Sequence, residues 1–374
     1  MRPSILLAAL LTLFVSPGAG SEAAPRRAQP PRTSIPLYRH IFVIIDENKG
    51  YHQLMDHPEW TPVIHRLASE YGSATQFYAE VHSSEADYIA MLGGDTFGIH
   101  DDDAFYCRAG LKDPNCQDSG KPGYANHDLT ARSLMDQLTE RGLTWKAYLE
   151  DIPGAGSLVP RWPTPDYPAA GLPNQAYAAK HNGFVNFKRV NEEPYPALSR
   201  HFVGFTQLDK DLATDTMPSY AHIIPNQCND MHGIGGANAP SDCKGSDSPS
   251  LIHRGDADIG MLVDKIMHSK VWSDPGNTAI VVTFDENNKG ERKSGPQGCC
   301  GYDPHSKANF GGGQIVTIVI TNHGQRHFVD PTPYNHYSFL RTTEAAFGIH
   351  EYLGHAADTS KGVVTMTPLF AAAP

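Results

Sequence analysis

His40-Ile41-Phe42-Val43-Ile44-Ile45-Asp46 is a short, continuous apolar run closed by a carboxylate. Such a run reads as a strand covered on both faces. Thr278 to Phe284 repeats the pattern, Gln314 to Thr321 supplies a third run, and Trp145–Leu149 and Tyr220–Ile224 two shorter ones. Between them the apolar spacing turns helical. Val63, Leu67 and Tyr71 share one face, and Leu134 and Leu138 another, with Gly142 where a helix C-cap belongs. Ile259, Leu262, Val263, Ile266 and Met267 form an amphipathic stripe, and Phe339, Leu340, Thr343, Ala346 and Phe347 mark a late helix. Buried strands separated by amphipathic helices predict an α/β domain with a mainly parallel central sheet and helices on both faces. Ligands of such sheets bind beyond the carboxyl ends of the strands.

Two acidic clusters stand at those ends. The first run closes on Asp46-Glu47-Asn48 and the Thr278 run on Asp285-Glu286-Asn287. Either alone reads as a solvated strand end. Together in one cleft they would repel unless a cation neutralised them. Oxygen ligands with imidazole suit a divalent ion: Zn, Mn, Mg or Ca, one or two per chain. Histidine is abundant, with 19 residues, and three have suggestive neighbours. His82 precedes Ser83-Ser84, His232 follows Asp230 by two positions, and His336 ends Tyr334-Asn335-His336. An Asp-x-His loop can offer both side chains to one ion. Ser84 precedes the helix-compatible stretch Ala86–Leu92, which suits an N-cap and also a serine nucleophile activated by a metal. A phosphate would gain from the backbone N–H groups of such a helix end.

Composition bounds the surroundings. A formal net charge of −11 disfavours binding to nucleic acid, and any phosphoester site must bring its own local positive charge. At the N-terminus, Arg2, the apolar stretch Ile5–Val15 and the small-residue segment Ser16–Gly20 read as a signal peptide over residues 1–23. Residues 24–35, rich in Pro and Arg, read as a flexible linker, and residues 36–374 as one domain. No other segment has the ~18 apolar residues of a membrane-spanning helix, so stable membrane insertion is not expected. A secreted or periplasmic location follows. Six cysteines fit an oxidising compartment. Of the connectivities open to them, local pairing is expected: Cys107 with Cys116, Cys228 with Cys243, and the adjacent Cys299 with Cys300. Oligomeric state is not legible.

Seven segments in order carry a resemblance. They are HIFVIIDENKGYHQLM, VHSSEADYIAMLGGDTFG, SLMDQLTERGLTWKAYLEDIPG, YAAKHNGFVNF, PNQCNDMHG, VVTFDEN and YNHYSFLRTTEAAFG. From about His40 to Gly348 the chain resembles the bacterial and fungal phosphoesterase family, which includes acid phosphatases and is similar to bacterial phospholipases C. That family lies within the alkaline phosphatase superfamily, so the resemblance implies an alkaline-phosphatase-like fold. It implies a metal site of Glu47, Asn48, Asp285 and Glu286, with Asp230, His232 and His336 where the superfamily places ligands for a second ion. It implies Ser84 as nucleophile, with His232, His336 or His181 protonating the leaving group. Lys180 and His181 match a Lys-His-Asn segment that would contact the phosphate, and His82 joins them as a substrate-binding residue. Departures are visible: the family's His-Pro-Ser is His82-Ser83-Ser84, which keeps Ser83 as an alternative nucleophile. Asp87 replaces an Asn, and Gly183 a Pro.

The implied activity is hydrolysis of a small phosphoester, with a monoester substrate and a phosphoserine intermediate. A phospholipase C-type phosphodiesterase is the alternative. A noncatalytic, metal-stabilised secreted binding protein is a third reading, from a different class. A sulfatase is excluded, since Glu85-Ala86-Asp87 follows Ser84 in place of the x-Pro-x-Arg that formylglycine formation needs.

Overall fold

The strands, in chain order, are β1 Tyr38–Asp46, β2 Gly72–Ala79, β3 Trp145–Leu149, β4 Arg161–Trp162, β5 Tyr177–Ala178, β6 Phe202–Val203, β7 Tyr220–Ile224, β8 Asn277–Phe284, β9 Gly313–Thr321, β10 Phe328–Asp330 and β11 Tyr334–Asn335. They belong to a computed structural model that describes residues 34–236, 238–288, 290–291, 297–303, 305 and 311–372. The signal-peptide expectation, and all of the linker expectation but its last two residues, lie outside the described residues.

One sheet runs in the order β10-β2-β9-β8-β1-β7-β3-β6, with β11 also paired to β2, while β4 and β5 pair apart. β1 is parallel to both β7 and β8, β3 is parallel to β7, and β6 to β3. β9 runs antiparallel to β8 and to β2. Two reversals restore direction, so β2 points the same way as β1, and β10 and β11 follow it. The sheet is therefore mainly parallel, with β9 as its reversed member. From Ile41 to Asp46 every residue of β1 is buried, as is every residue of β8 from Thr278 to Phe284. Successive side chains face opposite sides, so both faces of the sheet are covered. Each Ile or Val buried there contributes about 1.5–3 kcal/mol relative to exposure, which holds the register. β2 has no counterpart in the sequence reading, because Gly72, Ser73, Thr75 and Gln76 interrupt any apolar run.

The helix Ser84–Gly93 is buried along its whole length. It starts one residue earlier than an N-cap at Ser84 would require: Ser83 takes the cap position and Ser84 the first turn. It ends at Gly94, where φ is +74° and a Cβ would stand 2.3 Å from the Leu353 carbonyl oxygen. The helix Pro249–Met267 is capped by Ser248, whose hydroxyl accepts from the Leu251 N–H at 3.3 Å. Its Asp256 in turn accepts from Val63 and Ile64 at 2.9 and 2.8 Å, fastening the first turn of the helix Pro62–Glu70. The three cysteine pairs form as expected: Cys107–Cys116, Cys228–Cys243 and Cys299–Cys300. Among the described residues no helix is long and apolar enough to cross a membrane.

Candidate active site

Parallel register brings the two acidic clusters together. Asp46 of β1 stands opposite Phe284 of β8, so the residues that follow each strand emerge side by side. The Asn48 backbone N–H donates to Asp285 Oδ1 at 2.8 Å, and the Asn48 amide donates to Glu286 Oε1 at 2.6 Å. Asn48 makes this turn with φ +44°, a conformation that Asn tolerates better than most residues. β2 delivers the next element to the same edge. His82 Nδ1 contacts Glu286 Oε2, and the Ser84 hydroxyl donates to Glu47 Oε2 at 2.9 Å. Asp87 accepts from the Glu80 N–H at 2.8 Å and so fixes the exit of β2.

The loop after β7 closes the site. The Glu47 N–H donates to the Asp230 carbonyl at 2.7 Å, and Asp230 Oδ1 accepts from the His232 N–H at 2.7 Å. The short turn after β5 adds His181, whose Nε2 is 3.2 Å from Glu47 Oε1 and whose Nδ1 is 3.3 Å from Asp230 Oδ2. Lys180 beside it pairs with Asp102 at 3.1 Å and stands 3.5 Å from His232 Nε2. A cavity of about 350 Å³ opens over these groups and is lined by Asn48, His82, Ser84, Lys180, His232 and Glu286 among others.

Glu47, His181 and His232 each offer a ligand atom, and the three lie within 4.8 Å of one another. A hydrogen bond assigns the His232 tautomer. His232 Nδ1–H donates to the Gly233 carbonyl at 2.8 Å, which leaves its Nε2 as a lone-pair donor, and the His181 Nε2 is buried with no hydrogen-bond partner. Asp230 Oδ2 stands 3.3 Å behind His181 Nδ1, the place a carboxylate takes behind a metal-ligating imidazole. Charges agree. Burial, then the Lys180 ammonium, pushes His232 down to about 3 and His181 well below its ordinary range, so both rings are neutral. Burial, then the charge of Asp285, holds the Glu47 carboxyl well above its usual range. Glu47 Oε1, His181 Nε2, Asp230 Oδ2 and Asp285 Oδ2 are buried without a hydrogen-bond partner in the structure. Neutral imidazoles beside crowded, unpartnered carboxylate oxygens have the chemistry that would suit a divalent cation.

Ten of the eleven sequence-selected residues thus converge: Glu47, Asn48, His82, Ser84, Lys180, His181, Asp230, His232, Asp285 and Glu286. The structure groups His181 and His232 with Glu47; the sequence reading gave His181 substrate and proton-transfer roles, and His232 a proton-transfer role and a place among ligands for a second ion. His336 sits elsewhere. It is fully buried at the start of the helix His336–Ala346, with Nε2 3.2 Å from the Phe284 carbonyl oxygen and Nδ1 3.3 Å from Asp87 Oδ1, so it braces the strand ends from beneath. Ser83 Oγ is buried without a partner, whereas Ser84 meets Glu47.

Two residues went unread. Lys49 is fully buried, and its ammonium donates to the carbonyls of Glu47, Asn48 and Met231 at 3.2, 3.2 and 2.8 Å, tying the two loops together. A lysine directly after Asp-Glu-Asn was the available signal. Asp102 lies in His100-Asp101-Asp102-Asp103, a run that reads as a solvated loop.

The Phosphoesterase family model matches residues 55–350. The chain is 26% identical over 321 residues to the phosphatidylinositol-3-phosphatase of Mycobacterium tuberculosis, covering 85% of this chain and 79% of that one. It is 26% identical over 286 residues to the phosphate-repressible acid phosphatase of Penicillium chrysogenum, and there covers 76% of this chain but only 54% of the relative. Among solved structures, a protein of the alkaline phosphatase superfamily from Vibrio parahaemolyticus superposes with a TM-score of 0.50 at 13% identity, over 85% of this chain and 68% of that one. That likeness bears on the fold alone.

Proposed function

The chain belongs to the phosphoesterase family, and from that membership we propose that it is a secreted phosphomonoesterase whose nucleophile is Ser84. The observation that carries this reading is the 2.9 Å hydrogen bond from Ser84 to Glu47, made at the edge of the ligand set of Glu47, His181 and His232. A divalent cation held there would lower the pKa of the serine hydroxyl and stabilise charge on the phosphoryl oxygens. The mixed imidazole and carboxylate donors suit zinc or another first-row ion better than calcium. Further support comes from the relatives, both of which are named phosphatases.

The chain's own residues then divide the work. Glu47 accepts the Ser84 proton as the Ser84 oxygen bonds to phosphorus and the ester bond breaks. The N-terminal end of the helix Ser84–Gly93 turns its positive dipole end toward the phosphoryl oxygens. Lys180, whose ammonium is held charged against burial by Asp102 and Glu47, supplies the local positive charge that an acidic protein needs. The leaving oxygen departs past Lys180 and His232 and takes a proton from water; the resulting hydroxide releases phosphate from Ser84, whose oxygen recovers its proton from Glu47.

The deciding experiment compares para-nitrophenyl phosphate with bis-para-nitrophenyl phosphate across pH, with and without chelator. Chelator-sensitive turnover of the monoester is expected. Preference for the diester would replace this reading with a phosphodiesterase, and turnover of neither by metal-loaded protein would leave a binding protein.

A further inference from the structure

Next to the cavity over Ser84 lies a second, of about 360 Å³, and the two share Asp102, Lys180 and His232 in their walls. The second cavity is rich in aspartate, yet each carboxylate is answered from within the chain. Asp101 pairs with His127 Nε2 at 3.0 Å, Asp102 with Lys180 at 3.1 Å and Asp118 with Lys121 at 2.6 Å. Asp103 accepts from the backbone N–H groups of Gln117 and Asp118 at 2.7 and 2.9 Å. Arg161, in β4, differs. It stands in the same wall, and among the described residues its guanidinium makes no hydrogen bond and no ion pair. A cationic ligand would therefore meet neutralised acids and one uncompensated positive charge.

The other polar groups in this wall are amides, notably Gln117, Gln175 and Gln227. The Gln227 amide nitrogen is taken by the Gln175 carbonyl, which leaves its own oxygen as an acceptor. Amides that both donate and accept match hydroxyl groups, and a free guanidinium matches a phosphate or carboxylate. On the phosphomonoesterase reading, the alcohol that leaves phosphorus as Ser84 attacks has a path across the shared wall of Asp102, Lys180 and His232.

Resting on that reading, we propose that the second cavity receives the leaving alcohol, and that this alcohol is a polyol whose second anionic group docks on Arg161. A free phosphorylated sugar and an inositol phospholipid headgroup share this chemistry.

The test measures kcat/KM for glucose 1,6-bisphosphate and glucose 6-phosphate with wild type, Arg161→Gln and Arg161→Lys. Wild type is expected to prefer the bisphosphate about tenfold, the size of one charge-assisted contact. R161Q should lose that preference and R161K keep part of it, with both variants melting like wild type. Activity on para-nitrophenyl phosphate without the bisphosphate preference would overturn this proposal alone, as would an unchanged ratio in R161Q. A wild type inert toward para-nitrophenyl phosphate would overturn the phosphomonoesterase reading and this one with it. A last arm sets a phosphatidylinositol phosphate in phosphatidylcholine vesicles beside its deacylated headgroup: faster vesicle turnover assigns a lipid source, and faster headgroup turnover a soluble one.

Discussion

Ser84 Oγ lies 2.9 Å from Glu47 Oε2, although the two residues leave different strands, β2 and β1, with β9 and β8 between them. Ser84→Ala should lower kcat/KM on a phosphomonoester by about 10³-fold or more, as loss of a nucleophile does. Ser83→Ala should lose far less. Steady-state kinetics on both, with mass spectrometry of the Ser84 peptide after a phosphate-ester quench, checks the assignment. A larger loss in S83A would move the role to Ser83.

The ligand set makes a separate prediction, readable without turnover. His181→Ala and His232→Ala should each weaken retention of a divalent ion by at least about tenfold. Elemental analysis of dialysed protein measures this, and equal metal content in wild type and H181A would remove His181 from the set.

Gly183 touches the site through packing. A Cβ there would meet the backbone C and O of Tyr88 at 2.7 Å, and Tyr88 stacks on His181 with ring centroids 5.7 Å apart. Gly183→Ala should cost about 1–3 kcal/mol of stability by overpacking and should lower activity as well. Gly154→Ala, whose Cβ meets nothing within 4 Å, should change stability by no more than about 0.5 kcal/mol. Thermal melts of the two variants compare them directly.

Glu344 carries a pH dependence of stability. Burial raises its carboxyl to about 8, against the N–H of Leu353 that it accepts at 2.9 Å. The unfolded chain releases this proton near pH 4.5 while the folded chain keeps it, so stability falls as pH rises from about 4.5 to about 8. Glu344→Gln removes that loss. Its advantage over wild type in urea unfolding should be larger at pH 9 than at pH 5, by up to a few kcal/mol. An advantage independent of pH would refute the elevated value.

Cys228–Cys243 spans 15 positions and holds the loop that carries Asp230 and His232. Replacing both cysteines by Ser should remove about 3 kcal/mol if loop-closure entropy governs, and should raise KM. Unfolding curves and kinetics test the two effects separately.

Much of this was legible where the physics is local. β1 and β8 announce themselves because strands buried on both faces need unbroken apolar runs, and their terminal carboxylates marked the site. β2 was hidden because its neighbours, and not its own residues, make it a strand. The grouping of His181 with Glu47 and His232 was hidden for a similar reason. Which nitrogen of His232 is free depends on the Gly233 carbonyl, and His181 arrives from the turn after β5; no spacing in the sequence reports either. His336 resembled a ligand by its setting in the chain, yet it faces Asp87 and the Phe284 carbonyl because the helix it begins packs beneath the strand ends.

The three disulfides span 9, 15 and 1 positions, so each closes a loop of its own and none staples one strand of the sheet to another. The order of assembly is thereby left open to the chain. Its apolar strands can find their register while every thiol is still reduced, and oxidation then fixes the margins around a scaffold already in place. Maturation splits into two stages with different sensitivities, the first to apolar packing and the second to the redox state of the surroundings. Protein made under reducing conditions should therefore be folded in its sheet yet unfinished at the 228–243 loop, with activity recovered by oxidation and no need for refolding.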